Sequence, residues 1–494
     1  MHSIEPNTAG DQNCGIFFFQ TFENPEITLI SNVNKLLKKY PNLEDVYFEM
    51  TYLLDESWIN KKQWLKVIFE FHHVQHSNEL SLNSLHIAPI LDNKAKTNEF
   101  GIKKDTITEN FDILVFNEFK KNYEHLKLNK KCFFLGEPYV FEPVFIAKPW
   151  GKEIWFTGFE ARGVSLIKPF GGEYAIPLTW LFSILPNTLL GKNKTLKDLS
   201  LVKILDPLPE EVYGDLYYEM HTEKNEVYVV TEIRSQPARI KMGINPEKFK
   251  FFSNDITKFK NCFLKAIKEY EKIRRKIDNL LDSFREKNNI ALNAPILSQT
   301  VREWMTDIPK DDIHQEKIKR KEMDEYCGFL ELQVGDVVCV PTFIPHALQH
   351  GVKVIEFQTP TYERMIISFA QKVLTQDHWD TEHAFEKLKL FPPEKTTLQL
   401  LNNEKGFCEE LVCNFNEFKA TRVKLNKNHL LSLEPINTYR LLFLVEGHLE
   451  IAKNSKALDF NTISKGECIF LSALNSYHIR TVDNATFLFC LPNS

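Results

Sequence analysis

The sequence predicts a mainly β protein: strand-built barrels interrupted by a helical segment, with a mixed α+β domain in front of them. Three observations predict it. Val46, Phe48, Met50 and Tyr52 alternate with more polar neighbours, the period-2 pattern of a half-buried strand. From Glu142 onward short apolar runs alternate with turns such as K-P-W-G-K and P-F-G-G-E, a texture of all-β architecture. Phe is frequent, at 39 residues, and Gly rare, at 18, which suits many buried aromatic-rich strands.

In chain order, strands are predicted over 15–22, 46–52, 64–71 and 111–116, with a helix over 27–39 ended by Tyr40-Pro41-Asn42. These make the α+β domain, residues 1–135, whose role the sequence does not disclose. His72, His73 and His76 follow a strand end with no acidic neighbour in sequence, so they read as an exposed loop cluster rather than a metal site. The second block runs over 136–395. Within it 178–190 reads as an apolar helix closed by Gly191, and 201–206 leads into a strand carrying Glu219 and His221. A helical insertion occupies about 255–325. Asp255 is its N-cap, and Ile273, Ile277, Leu280 and Phe284 recur at helical spacing. Its basic opposite face reads as solvated surface. The polar stretch 308–325 is predicted to be a mobile loop or lid. Strands resume at 330, and 376–390 reads as helix. From 398 to 494 a third, strand-rich block reads as a second jelly roll without a metal site, keeping a lone His478.

At 494 residues the chain exceeds one hydrophobic core, and roughly two to four domains are expected. A hydrophobic fraction of 43% with 26% charged residues is that of a soluble globular protein. A net charge of −5 spread along the chain gives no nucleic-acid footprint. No apolar run reaches the roughly 20 residues of a membrane span. The start, M-H-S-I-E-P-N, has no signal-peptide pattern. Nine scattered cysteines without a C-x-x-C pair fit a reducing cytoplasm better than a disulfide framework. Trp150 and Trp155 read as core aromatics rather than sugar-stacking platforms.

The chemistry lies in two stretches, G-D-L-Y-Y-E-M-H-T-E-K-N-E from Gly214 and F-I-P-H-A-L-Q-H-G ending at Gly351. Glu219 and His221 alternate on one strand, so both point to one face. Glu226 opens the next strand, and His346 follows a Gly335-Asp336 turn and a V-V-C-V-P strand. Two carboxylates and two imidazoles converging on one pocket are a ligand set for a divalent metal.

This spacing resembles the cupin pattern, in which facing strands of a small barrel gather ligands around one ion. More narrowly, residues 142–494 resemble the class I mannose-6-phosphate isomerases. E-P-V-F-I-A-K-P-W-G, L-L-G at 189–191, L-V-K-I-L-D at 201–206, G-D-V-V-C-V-P-T-F-I-P-H-A-L-Q-H-G and V-I-E-F-Q carry the resemblance. It implies a zinc site at Glu219, His221, Glu226 and His346. Where that family has Gln this chain has Glu219, a more anionic set that also suits Fe²⁺ or Mn²⁺. The resemblance further implies Arg364 and Lys203 as catalytic residues, with Glu356 orienting a ligand from behind. The implied reaction interconverts mannose 6-phosphate and fructose 6-phosphate through an enediol or enediolate. A small sugar phosphate is then the partner, with neither nucleic acid nor membrane involved. Two other readings stay open: an iron-dependent oxygenase on the same fold, and a non-catalytic sugar-binding protein.

Overall fold

The computed structural model describes residues 14–21, 24–56, 60–74, 79–90, 108–110, 113–361, 363–374, 376–453, 460–473 and 475–493. The amino-terminal stretch 1–13, Phe22, His76 and Phe111 lie outside them.

The amino-terminal part is a six-stranded sheet with a helix on each face. Cys14–Thr21 pairs in parallel with Asp45–Glu56, and the Pro25–Lys39 helix makes the crossover. Lys61–Val74 and Glu79–Pro89 extend the sheet as antiparallel neighbours. Alternation sorts the side chains: Phe17, Phe48, Met50 and Phe69 face Leu29, Val33 and Leu36 of that helix. Ile16, Tyr47 and Ile68 face Phe116 and Tyr123 on the other side. Those last two belong to an Ile113–Leu128 helix, which corrects the strand expected over 111–116. The F-D-I-L-V-F run is too short for its period to separate strand from helix. His72 also differs from expectation. It lies within the Lys61–Val74 strand, opposite Asp45, with Nδ1 2.7 Å from that carboxylate, so its acidic partner comes across the sheet.

The rest of the chain builds two β-sandwiches. In the first, a six-stranded sheet contains Glu226–Ile233, Val352–Gln358, Leu201–Pro207 and Gly151–Trp155 as consecutive neighbours. A five-stranded sheet faces it, in the order Cys327–Glu331, Arg239–Ile244, His346–Leu348, Tyr218–Met220, Met365–Ser368. Leu205, Tyr228, Val230, Ile240, Val338 and Val354 fill the space between them. The second sandwich sets a nine-stranded sheet against a four-stranded one. Three strands of the nine come from residues 139–177 and six from 399–492, so the carboxy-terminal block is completed by chain that precedes the metal motifs. The fold is thus mainly β and jelly-roll-like, as expected.

The helical insertion packs on the outside of the five-stranded sheet. Its main helix is Ile256–Lys287, with Asp255 accepting from the Lys258 N–H at 2.9 Å. Phe259, Phe263, Ile267, Tyr270 and Ile277 form its buried stripe. The expected lid over 308–325 is instead the Lys310–Asp324 helix, which buries Asp312, Glu316 and Met323. The 178–190 helix breaks at Leu185-Pro186 into Leu178–Ile184 and Pro186–Leu190, because proline starts a new helix more readily than it continues one. Of 376–390, Thr381–Lys387 is helical. All nine cysteines are unpaired thiols. Among the described residues no helix is long and apolar enough to cross a membrane.

Candidate metal centre

Tyr218–Met220 is a three-residue strand between His346–Leu348 and Met365–Ser368. Tyr218 and Met220 point outward into the apolar cluster under the helical insertion. Glu219 therefore points inward, directly opposite His346. His221, two residues on, stays on that face and is almost fully buried. Glu226 comes from the opposing sheet, at the start of Glu226–Ile233. Gly214 is needed upstream. A Cβ there would lie 1.9 Å from the Leu208 carbonyl oxygen, so no side chain fits where the chain turns into this strand.

The four side chains meet. Donor atoms of Glu219, His221 and His346 lie within 4.8 Å of one another. His221 Nε2 is 3.4 Å from Glu226 Oε1 and 3.7 Å from Glu219 Oε1. His346 Nε2 is 3.2 Å from Glu226 Oε2. Each imidazole is oriented through its other nitrogen. His221 Nδ1 lies 2.8 Å from the Glu363 carbonyl oxygen, and His346 Nδ1 lies 3.1 Å from that of Ile344. A carbonyl oxygen can only accept, so both Nδ1 atoms carry a hydrogen; His221 Nε2 then presents its lone pair to the carboxylates, while His346 Nε2 lies at hydrogen-bond distance from Glu226 Oε2. His221 Nε2 and Glu219 Oε2 are buried without a hydrogen-bond partner. A divalent cation satisfies that donor set, so the residues present fit a metal.

Electrostatics favours the ligating forms. Burial, with Lys224 adding to it, pushes the His221 imidazole down to about 3 and keeps it neutral. Burial alone would raise Glu219, but His221, Arg364 and Lys224 outweigh it and hold the carboxyl below its usual range. Glu226 is held well below that range. Burial again opposes, and Lys224, His221 and His346 prevail.

Arg364 and Lys203 line the same small cavity, of about 30 Å³, together with Glu219, Glu226, Tyr228 and Glu356. Arg364 Nη1 is 3.9 Å from Glu219 Oε2, and its guanidinium lies 5.7 Å from the Tyr217 ring centre. Lys203 and Glu356 face each other across neighbouring strands, with Nζ 3.2 Å from Oε2. Burial would lower Lys203, but Glu356, Glu153 and Glu226 overcome this and raise it. It stands there as an ammonium. Trp150 and Trp155 are buried core aromatics, Trp155 donating Nε1–H to Glu153 at 2.7 Å.

Three participants escape sequence reasoning. Lys224 places Nζ 2.5 Å from Glu226 Oε1. Tyr228 donates its hydroxyl to Glu226 Oε2 at 2.6 Å. Glu363 accepts from the Thr222 and Glu223 amides at 2.8 and 3.2 Å, clamping the turn beyond His221. The available signal for Tyr228 is period-2 alternation, which sets it on the same strand face as Glu226. Nothing local in sequence joins Glu363 to Thr222.

Two jelly-roll sandwiches, with a Glu-His-Glu-His cluster inside the first, define a cupin-type fold with a candidate metal centre. The fold is similar to that of solved mannose-6-phosphate isomerases. The apo enzyme from Salmonella typhimurium superposes with a TM-score of 0.50 at 12% identity, covering 72% of this chain and 100% of that one. The Bacillus subtilis enzyme gives 0.49 at 13% identity over 72% of this chain and 99% of that one. A zinc-bound mannose 6-phosphate isomerase gives 0.46 at 13% identity over the same shares. No protein-family model matches the sequence, and no curated protein matches it.

Proposed function

We propose that this protein is a metal-dependent sugar-phosphate isomerase that interconverts mannose 6-phosphate and fructose 6-phosphate through an enediol or enediolate. The observation that carries it is the pair of imidazoles pinned through Nδ1 to backbone carbonyls, with both Nε2 atoms turned toward the buried Glu226 carboxylate and that of His221 also toward the half-buried Glu219. Glu219, His221, Glu226 and His346 would hold the ion, zinc in the first instance. When bound, it supplies Lewis acidity at the carbonyl and hydroxyl oxygens of the reacting carbons.

The chain's own residues do the rest. Tyr228 and Lys224 fix the two oxygens of Glu226. Arg364, beside Glu219, offers a guanidinium to the oxygen that becomes negative as the proton leaves carbon. Lys203, held as an ammonium, donates to a substrate oxygen and is not the base that takes the carbon-bound proton. The nine unpaired thiols fit a reducing, cytoplasmic setting.

The test is turnover of mannose 6-phosphate by the purified, metal-loaded chain alongside His221→Ala and His346→Ala. Activity should fall at least about a thousandfold in both, since each removes a ligand and leaves a cavity. Folded, metal-loaded protein inert toward every hexose phosphate would refute the proposal. The two-carboxylate set favours one second reading, an iron-dependent oxygenase. Bound iron with substrate-dependent oxygen uptake would establish that instead.

A further inference from the structure

The cavity around the candidate metal ligands holds about 30 Å³, room for an ion and a water or two but not for a sugar phosphate. A much wider cavity, of about 1060 Å³, lies against the same end of the barrel. Register places it there. Glu226 pairs with Gln358, Gln358 pairs with Leu201, and Leu201 lines the wide cavity two residues before Lys203 on one strand face. Pro360 and Thr361 also line it, immediately upstream of the Glu363–Arg364 segment that serves the metal site. Trp155 lies between the two spaces. The guanidinium of Arg162, which lines the wide cavity, lies 4.8 Å from its ring centre, and its Nε1–H donates at 2.7 Å to Glu153, which lines the small one.

The opposite wall is not part of the barrel. Asn24, Pro25 and Tyr52 belong to the amino-terminal domain, which lies outside the stretch that resembles the isomerases. That domain is fixed in place. The buried Glu26 carboxylate accepts from the Asn187 and Thr188 amides at 2.7 Å, Thr179 donates to Glu56, and Tyr174 donates to the Ile87 carbonyl at 2.6 Å. The lining carries two cations, Arg162 and Lys197, one carboxylate, Glu160, and ring faces. Arg162 pairs with Glu160, and the exposed Lys197 makes no ion pair among the described residues. Tyr52 and Phe159 present aromatic surface.

We propose that the wide cavity is the chamber through which the metal centre receives a phosphorylated sugar. Its phosphate is met by Lys197 and Arg162, and the amino-terminal domain forms the wall that selects it. The proposal rests on the isomerase reading for its choice of ligand. Lys197 and Arg162 supply point charge and a planar donor fork for a phosphate, and aromatic faces suit the apolar face of a sugar ring. A volume at the upper end of small-ligand cavities leaves room beyond a bare hexose phosphate.

Calorimetric binding of mannose 6-phosphate to the metal-loaded full chain tests this, with Lys197→Glu, Ala161→Trp and Tyr52→Ala beside the wild type. Lys197 and Ala161 are exposed, so their variants should keep the metal content and melting temperature of the wild type. The expected result is a Kd raised about tenfold or more by charge reversal at Lys197 and by the indole that fills the chamber from Ala161. Tyr52→Ala should weaken binding with metal content unchanged. Unchanged Kd values in Lys197→Glu and Ala161→Trp would overturn the chamber, and an unchanged value in Tyr52→Ala alone would overturn the role of the amino-terminal wall. Wild-type binding without turnover, weakened in the variants, would sink the isomerase reading and leave the chamber standing. Turnover with binding insensitive to all three would do the reverse, and no wild-type binding at all would overturn both.

Discussion

At His221 a buried ring nitrogen has its lone pair turned toward two carboxylates and no hydrogen bond to satisfy it. In metal-free protein that arrangement is sensitive to acid. The folded imidazole is pushed down to about 3, whereas an unfolded one titrates near 6.5. Between those values the unfolded chain binds the extra proton, so stability present above pH 6.5 is lost as pH falls toward 3. Glu219 and Glu226, both lowered, add a loss of the same sign at the acid end. Urea titrations in chelator should show that slope, and His221→Asn should remove a part worth a few kcal/mol. Tyr228→Phe deletes the hydroxyl on Glu226 and leaves the ring. Metal affinity should fall about 10–100-fold, read by competition with a chromophoric chelator, with the melting temperature nearly unchanged. Glu219, His221 and His346 were legible from alternation and motif spacing alone. Glu363 was not, because its contacts reach Thr222 across 141 residues.

Among elements, the legible ones have a period longer than their ambiguity. The Ile256–Lys287 helix repeats its apolar stripe over many turns and starts at a recognisable cap. Asp255→Ala should therefore cost about 1 kcal/mol in chemical denaturation, the worth of an N-cap, with no change in metal content. The Lys310–Asp324 helix was read as a lid because it has no apolar stripe. Its inward face is charged and held by pairs such as Lys276 with Asp312 at 2.7 Å and Lys241 with Asp324 at 2.6 Å. Hydrophobic periodicity carries no trace of a helix docked by ion pairs. The three-residue strand bearing Glu219 was legible for the opposite reason. Tyr218 and Met220 face an apolar cluster while Glu219 cannot, so alternation alone sets which way the carboxylate points.

Over the whole molecule, one apolar core runs from Phe17 in the amino-terminal sheet to Cys490 in the last strand, so the first domain is packed into the rest. Glu26 is the polar pin of that packing. Glu26→Ala strands the Asn187 and Thr188 donors and should cost about 2–4 kcal/mol, with faster amide exchange at those two residues. How the two sandwiches share strands was not legible. Tyr139–Glu142 pairs with Cys468–Leu471 across more than 300 residues, and local pattern says nothing about such a partner. The most direct test of the central claim is turnover of mannose 6-phosphate through a cycle of chelation and reloading, with bound metal measured at each stage. Fructose 6-phosphate should form with one divalent ion per chain, stop forming when the ion is stripped, and form again when it is restored. A folded chain that holds its ion at Glu219, His221, Glu226 and His346 yet leaves the sugar phosphate unchanged would contradict that claim.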